Sequence, residues 1–212
     1  GPSGLVRVGA TEGLGTLILA PHLAQLTRKH PHLSIDLLAL PRMLHLSRRE
    51  ADIVISLERP TRGSVIVSRL SDYSLYLYGQ REYLARKPLV ATREDLRHHA
   101  FVSYVDDLLF TKELQFLDAL HQPERFAFRS TSITAQYEAV RAGAGLAVLP
   151  AFLADRDPVL TRVLPQEGQF TRTFWMSMPS ESKHLARMQV TWAFLRETVA
   201  AQQDLLKPKA VR

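Results

Sequence analysis

The chain has 212 residues, 46% of them hydrophobic, enough to bury a sizeable core in one bilobed domain or two small ones. It contains no cysteine, which excludes a disulfide framework and thiolate metal sites and fits a reducing cytoplasm. Its net charge of +6 invites a nucleic-acid reading, but Arg42, Arg48, Arg49, Arg59, Arg62, Arg69, Arg97 and Arg125 are scattered, often beside acids. These charges read as solvated surface. No helix-turn-helix, zinc-finger or RNA-binding signature is found, so this chain by itself is expected to lack sequence-specific DNA affinity. No apolar run is long enough to span a bilayer and no signal peptide opens the chain, so no membrane partner is expected. Gly1-Pro2-Ser3-Gly4 reads as a cleavage scar or linker.

In chain order, Leu5–Gly9 reads as a strand, and Ala10–Gly13 as a loop into a helix carrying Leu17, Leu23 and Leu26 and ending near His30-Pro31. Leu33–Leu40 is the next strand, closed by Pro41. A short helix around Met43–Arg49 leads to a third strand, Asp52–Ser56, which gives the β-α-β-α-β order of a parallel sheet. Arg59–Gly63 is a turn, and Val65–Val67 and then Leu75–Tyr78 are extended. Thr92 to Asp95 has capping-box spacing. Phe101–Tyr104 is a strand followed by the loop Val105–Asp107, and Leu114, Leu117 and Leu120 suit a helix. Phe126 and Phe128 alternate on a strand, Val159-Leu160 and Val163-Leu164 bracket another, and Phe174, Met176 and Met178 mark a third. Leu185, Met188, Trp192, Leu195 and Val199 form one face of a final helix, and Lys207–Lys209 should fray.

The most informative stretch is Ser130–Pro150, S-T-S-I-T-A-Q-Y-E-A-V-R-A-G-A-G-L-A-V-L-P. Three hydroxyl residues precede a helix whose apolar face is Ile133, Tyr137, Val140 and Ala144. Gly143 can end that helix in the left-handed conformation, and Gly145 keeps the backbone small at the turn. Leu146–Leu149 has no polar position and suits a parallel strand covered on both faces, stopped by Pro150. The helix start offers N–H groups beside hydroxyls, a place for an anion or a polar ligand group.

Catalytic patterns are thin. There is no G-x-S-x-G, H-E-x-x-H or P-loop, and Gly143-Ala144-Gly145 follows a helix and lacks a third glycine. Among eight histidines, the pairs His30/His32 and His98/His99 read as surface residues with no acid at ligand spacing, so no metal and no cofactor are expected. Asp106-Asp107 reads as a loop pair.

The stretch S-x-S-x-x-A-Q-x-x-A-V-R-A-G-x-G-L-A-x-L-P closely resembles the signature of the effector-binding domain of LysR-type transcriptional regulators. V-G-A-T-E-G-L-G-T-L-I-L-A-P-H-L with H-P-H-L-S-I-D-L, L-S-R-R-E-A-D-I-V-I-S-L-E-R-P, and L-Y-G-Q-R-E-Y-L-A-R with a following E-D-L extend the resemblance from Leu5 to about Leu206. It implies an α/β fold of two Rossmann-like lobes with a ligand cleft between them, like that of type II periplasmic binding proteins. Lobe I would be residues 5–72 plus 172–212, and lobe II residues 73–171. It also implies a small effector, possible in kind as an organic acid or a polar aromatic, no catalysis, and DNA contact only through a separate N-terminal winged helix-turn-helix. The partners it implies are a second copy in a homodimer and a tetramer for the intact protein. In that dimer Leu33–Leu40 and the preceding helix would meet a second-lobe helix of the partner, and a charge at Leu26 should split the pair.

Carried over residue by residue, the resemblance nominates Thr11, Arg42, Ser56, Tyr104, Thr131 and Ser132 as effector-binding. Thr11 is either a plain N-cap or a ligand hydroxyl. Arg42 stands where relatives often place a hydroxyl, and is either a counter-charge for a carboxylate or a solvated side chain. Ser56, where relatives often have Arg nearby, either leaves pocket volume or packs. Tyr104 offers a ring face and hydroxyl, or half-fills a core. Two other readings share the fold: a free solute-binding protein, and an enzyme such as a small-acid dehydratase.

Overall fold

The computed structural model describes residues 1–46 and 49–209. The chain divides into two compact units, Gly1–Asp72 with Thr173–Gln203, and Tyr73–Arg172 with the segment that starts at Asp204.

In unit 1, β1 (Gly4–Ala10) pairs in parallel with both β2 (Leu33–Ala39) and β3 (Ile53–Ser56). β9 (Gln169–Pro179) runs antiparallel beside β3, and β2 is the edge strand. Helix α1 (Glu12–Leu14) continues through a π-helical turn, Gly15–Leu19, into α2 (Ala20–Lys29). The wider turn rotates the apolar face, so Leu14, Ile18, Leu19, Leu23 and Leu26 are buried while Leu17 is only half-buried. Leu26, expected at an interface, is 2% exposed and belongs to the core of its own unit. The long helix α6 (Ala186–Ala201) packs on β1 and α2 through Met188, Leu195 and Val199, with Thr191 and Thr198 buried beside them, while Trp192 is half-buried.

The short helix expected around Met43–Arg49 does not form at Met43–Leu46, and Ser47 and Arg48 lie outside the described residues. Leu44 instead turns toward the sheet, so close to Gly9 that a Cβ there would lie 2.3 Å from its Cδ1. Leu44 is buried with Ala51 and Val54, and Leu38, Leu40 and Leu46 pack against them. Helical spacing would have pulled Leu44 off this cluster, and burial of the leucine outweighs a single turn of helix.

In unit 2, the two extended pieces read at Val65–Val67 and Leu75–Tyr78 prove to be parts of one strand, β4 (Val65–Gln80), whose second half from Tyr73 belongs to this unit. β7 (Ala147–Pro150) is buried at every position, as its lack of polar residues requires, but it pairs antiparallel to β4. The preceding residue, Leu146, makes a parallel bridge to Phe101 on β5 (Phe101–Ser103). Apolarity specifies burial on both faces; strand direction depends on which neighbour is available. β5 pairs in parallel with β6 (Phe126–Arg129), whereas β8 (Leu160–Arg162) runs antiparallel to β4. The capping box of Thr92 and Asp95 forms, opening a 3-10 turn over Arg93–His98. The helix expected from Leu114, Leu117 and Leu120 is replaced by two separate 3-10 turns, Lys112–Leu114 and Leu117–Ala119. Arg172 accounts for the interruption: its Nε donates to the Glu113 carbonyl at 2.7 Å, and its guanidinium lies 4.8 Å from the centroid of the Phe116 ring. A carbonyl that would serve a continuing helix is thereby taken by a side chain.

Candidate functional site

Unit 1 carries three of the nominated residues. β1 ends at Ala10, and Thr11 is extended (φ −64°, ψ 150°) as N-cap of α1, where its carbonyl accepts from Gly15 N at 2.9 Å. Its hydroxyl makes no capping bond, so it stands beside the first N–H groups of the helix without being used by them. Ser56, at the end of β3, donates its hydroxyl to the Glu58 carbonyl at 2.8 Å. It lines a cavity of about 1130 Å³ that neither Thr11 nor Arg42 reaches. Arg42 donates to the Glu50 carboxylate at 2.7 Å and to the Met43 carbonyl at 3.2 Å, so its charge already has a local counter-ion.

Unit 2 carries the other three. Ser132 is the N-cap of α4 (Ile133–Arg141), and its Oγ accepts from Ala135 N at 3.0 Å. The Ser130 hydroxyl accepts from Ser132 N at 3.1 Å, and Thr131 sits half-buried between these two serines. Gln136, 1% exposed, donates to the Ser130 carbonyl at 3.0 Å and so fixes the whole hydroxyl-bearing entry to α4. Helical spacing places Gln136 on the core face, three residues after Ile133 and four before Val140, so the signal was a polar residue at a buried position. Ile133 and Val140 are buried as that face predicts, whereas Tyr137 is half-buried and Ala144 lies beyond the helix. Tyr104 lines a small pocket of about 110 Å³ together with Ser103, Asp106 and Gln115, and Thr131 and Ser132 are not part of it.

The far end of α4 is pinned by charge. Asp157, 8% exposed, accepts from the Tyr137 hydroxyl, from Arg141 Nε at 3.0 Å and from Val159 N at 2.9 Å. Burial alone would raise its carboxyl, but these three donors outweigh it and hold the group below the usual carboxylate range. Burial and the Asp157 partner push the Tyr137 phenol up to about 12. His99, read from the sequence as a surface residue, is 5% exposed, with Nδ1 3.1 Å from the Tyr83 hydroxyl. Desolvation, with the Lys87 charge adding to it, holds it below the ordinary histidine range, so it is a neutral core residue. Among the described residues no group of three or more histidine, cysteine or acidic side chains could hold a metal ion. No helix among them is long and apolar enough to cross a membrane. Chemically, what the nominated positions offer is hydroxyl groups and helix-start N–H donors, a set suited to binding a polar group.

The family model of the LysR substrate binding domain matches residues 1–200. The chain belongs to this family. Among curated relatives, an HTH-type transcriptional regulator of Haemophilus influenzae is 23% identical over 174 residues, 78% of this chain and 59% of that protein. The Mau operon transcriptional activator of Paracoccus denitrificans is 29% identical over 148 residues, 70% of this chain and 48% of that protein. The chain thus spans about half the length of the curated relatives it matches. Among solved structures, the regulatory domain of CrgA from Neisseria meningitidis superposes with a TM-score of 0.80 at 21% identity, over 93% of this chain and 100% of that one. The LysR substrate-binding domain described here therefore has the two-lobed α/β fold of the periplasmic-binding-protein type. It is an effector-binding regulatory domain of the LysR type.

Proposed function

We propose that this LysR substrate-binding domain senses a small organic acid or polar aromatic through hydroxyls at helix starts, and that the bound effector governs how a longer protein engages DNA or activates transcription. Thr11 is the observation that carries the reading: a hydroxyl at the start of a long helical run, not consumed by capping. Ser132, Thr131 and Tyr104 are the candidates on unit 2, Ser56 is the second on unit 1, and Arg42 would have to exchange Glu50 for a ligand carboxylate to take part. A thermal-shift screen of organic acids and polar aromatics should return at least one compound that raises the melting temperature, because a ligand bound only to the folded state stabilises it. Calorimetry should then give one site per chain. Thr11→Val should weaken binding by about 1 kcal/mol, roughly fivefold, while leaving the melting temperature of the free protein nearly unchanged. Ser132→Ala is the less clean test, since it also removes the N-cap of α4, itself worth about 1 kcal/mol. Unaltered affinity in Thr11→Val would remove that residue from the site.

We further propose a two-fold homodimer, with a tetramer for the intact protein. Edge strand β2 supports this, with Ile35, Leu37 and Leu38 only half-buried, as do the exposed positions Ala24 and Gln25 on α2. On unit 2, β6 leaves Phe126 and Phe128 36% and 40% exposed, an apolar surface that a partner would cover. Ala24→Glu and Phe128→Glu should each halve the mass seen by light scattering at micromolar concentration without changing the circular dichroism spectrum. A monomeric mass for the unsubstituted chain at high concentration would rule the dimer out.

A further inference from the structure

His99, in unit 2, is 5% exposed, and its Nε2 is buried with no hydrogen-bond partner among the described residues. Its other nitrogen, Nδ1, lies 3.1 Å from the Tyr83 hydroxyl, and the two rings pack with centroids 5.6 Å apart. The Tyr83 oxygen is taken by the Ala100 backbone N–H, so the hydroxyl donates to Nδ1. A protonated ring has no lone pair there to accept that bond, and its charged Nε2–H would meet nothing. His121 Nε2 is likewise buried without a partner, its ring stacked on Phe101 at 5.5 Å, so unit 2 buries two imidazole nitrogens that no described group receives.

The groups facing His99 do not rescue a charge. Lys87, whose Nζ lies 5.7 Å from the centroid of the Tyr83 ring, and His98 both oppose one, and Arg125 faces Tyr83. Asp95 favours a charge but is already engaged, accepting from Ala91 N and Thr92 N at 2.9 Å each. The Pro88 carbonyl also favours one, yet it closes no hydrogen bond to Nε2. Burial outweighs these two.

The cover over this ring is thin. Tyr83 stands on α3 (Arg81–Ala85), a helix with no buried residue, and the chain runs on exposed from Arg86 to Leu89, the latter 84% exposed. β7, by contrast, is buried at every position. A segment that buries so little opens at far lower cost than such a strand.

We propose that α3 and the segment up to Val90 form an acid-released flap on unit 2: proton uptake by His99 expels its ring from beneath Tyr83 and frees this segment, while β4, β5 and β7 stay folded. The proton is then an input to this domain beyond the effector reading, taken up at a residue outside the candidate effector set. The open form binds the proton more readily than the closed one. Closure is therefore complete above pH 6.5, the ordinary histidine value, and is lost as the pH falls below it.

The test is amide hydrogen exchange of the 212-residue chain at about pH 7.5 and about pH 5.5, corrected for the intrinsic pH dependence, with His99 followed by NMR of 13C-labelled histidine. Protection over residues 81–90 should fall about threefold or more at the lower pH, while that of residues 147–150 holds. His99 should titrate below 6.5, and Lys87→Gln, at an exposed position, should raise that midpoint. His99→Gln and His99→Phe should each make protection over 81–90 equal at the two pH values. If neither variant folds, the wild-type titration and Lys87→Gln still decide. A His99 midpoint at or above 6.5, an unmoved midpoint in Lys87→Gln, the wild-type pH dependence in a folded His99 variant, or acid-induced exchange spreading equally to 147–150 would each overturn the proposal.

Discussion

Leu26→Asp is expected to unfold unit 1 outright. Leu26 is 2% exposed on the inner face of α2, among Leu14, Ile18, Leu19 and Leu23. Truncating such a leucine to alanine costs about 2–5 kcal/mol. Placing a carboxylate there adds the desolvation of a charge, or else the cost of keeping the acid protonated. The sum approaches the whole stability of a typical domain, about 5–15 kcal/mol. Far-ultraviolet circular dichroism and a thermal melt will read it directly: Leu26→Asp should lose helical signal at room temperature, and Leu26→Ala should melt early but fold. A Leu26→Asp chain that melts like wild type would show that α2 does not pack as described. The same burial corrects the expectation that a charge here would merely separate a dimer. Ala24, two residues earlier and exposed, is the position that can report on association.

Gly145→Ala should be the most damaging conservative change in unit 2. At φ +155° the residue is already in a region that side-chain-bearing residues rarely adopt, and an added Cβ would lie 2.4 Å from the Ala100 carbonyl oxygen and 2.8 Å from its carbon. Backbone cannot swing aside as a side chain can, and this backbone is held in turn: Leu146 N donates to that same Ala100 oxygen at 3.0 Å, and Val102 N to the Leu146 carbonyl at 2.7 Å. Strain of about 1–3 kcal/mol and the steric overlap add to a loss of about 3 kcal/mol or more, a fall in melting temperature on the order of 6–12 °C. Gly63→Ala provides the contrast. Its φ is +82°, yet a Cβ there meets nothing within 4 Å, so only the conformational cost of about 1 kcal/mol should appear. Equal effects at the two glycines would mean that contact with Ala100 is unimportant.

The features legible from the sequence were those whose cause is local. Phe174, Met176 and Met178 alternate, and all three are buried on β9. Thr92 and Asp95 stand three apart and close a capping box. Ser132 precedes an apolar helical face and caps it, and Gly143, in the left-handed conformation at φ +87°, ends it. Among the candidate site residues, the helix-start hydroxyls were visible for this reason. What the others do was not: Arg42 is met by Glu50, eight residues on, and Ser56 and Tyr104 each open on a separate pocket of its own unit.

By itself, then, the sequence determined the places of β1, β2, β3, β7 and β9, of α4 and α6, and where hydroxyls meet helix N-termini, because propensity, capping and periodicity act over a few residues. Tertiary structure decided what depends on a neighbour from elsewhere in the chain. Leu44 left its helix for the Ala51 and Val54 cluster. Arg172 took the Glu113 carbonyl and divided the segment around Leu114 and Leu117 into two turns. The apolar β7 ran antiparallel to β4, and His99 lost its solvent. Except at His99, whose Nε2 is buried without a partner among the described residues, burial of an apolar group or satisfaction of a buried polar one is worth more than the few tenths of a kcal/mol by which local propensities differ.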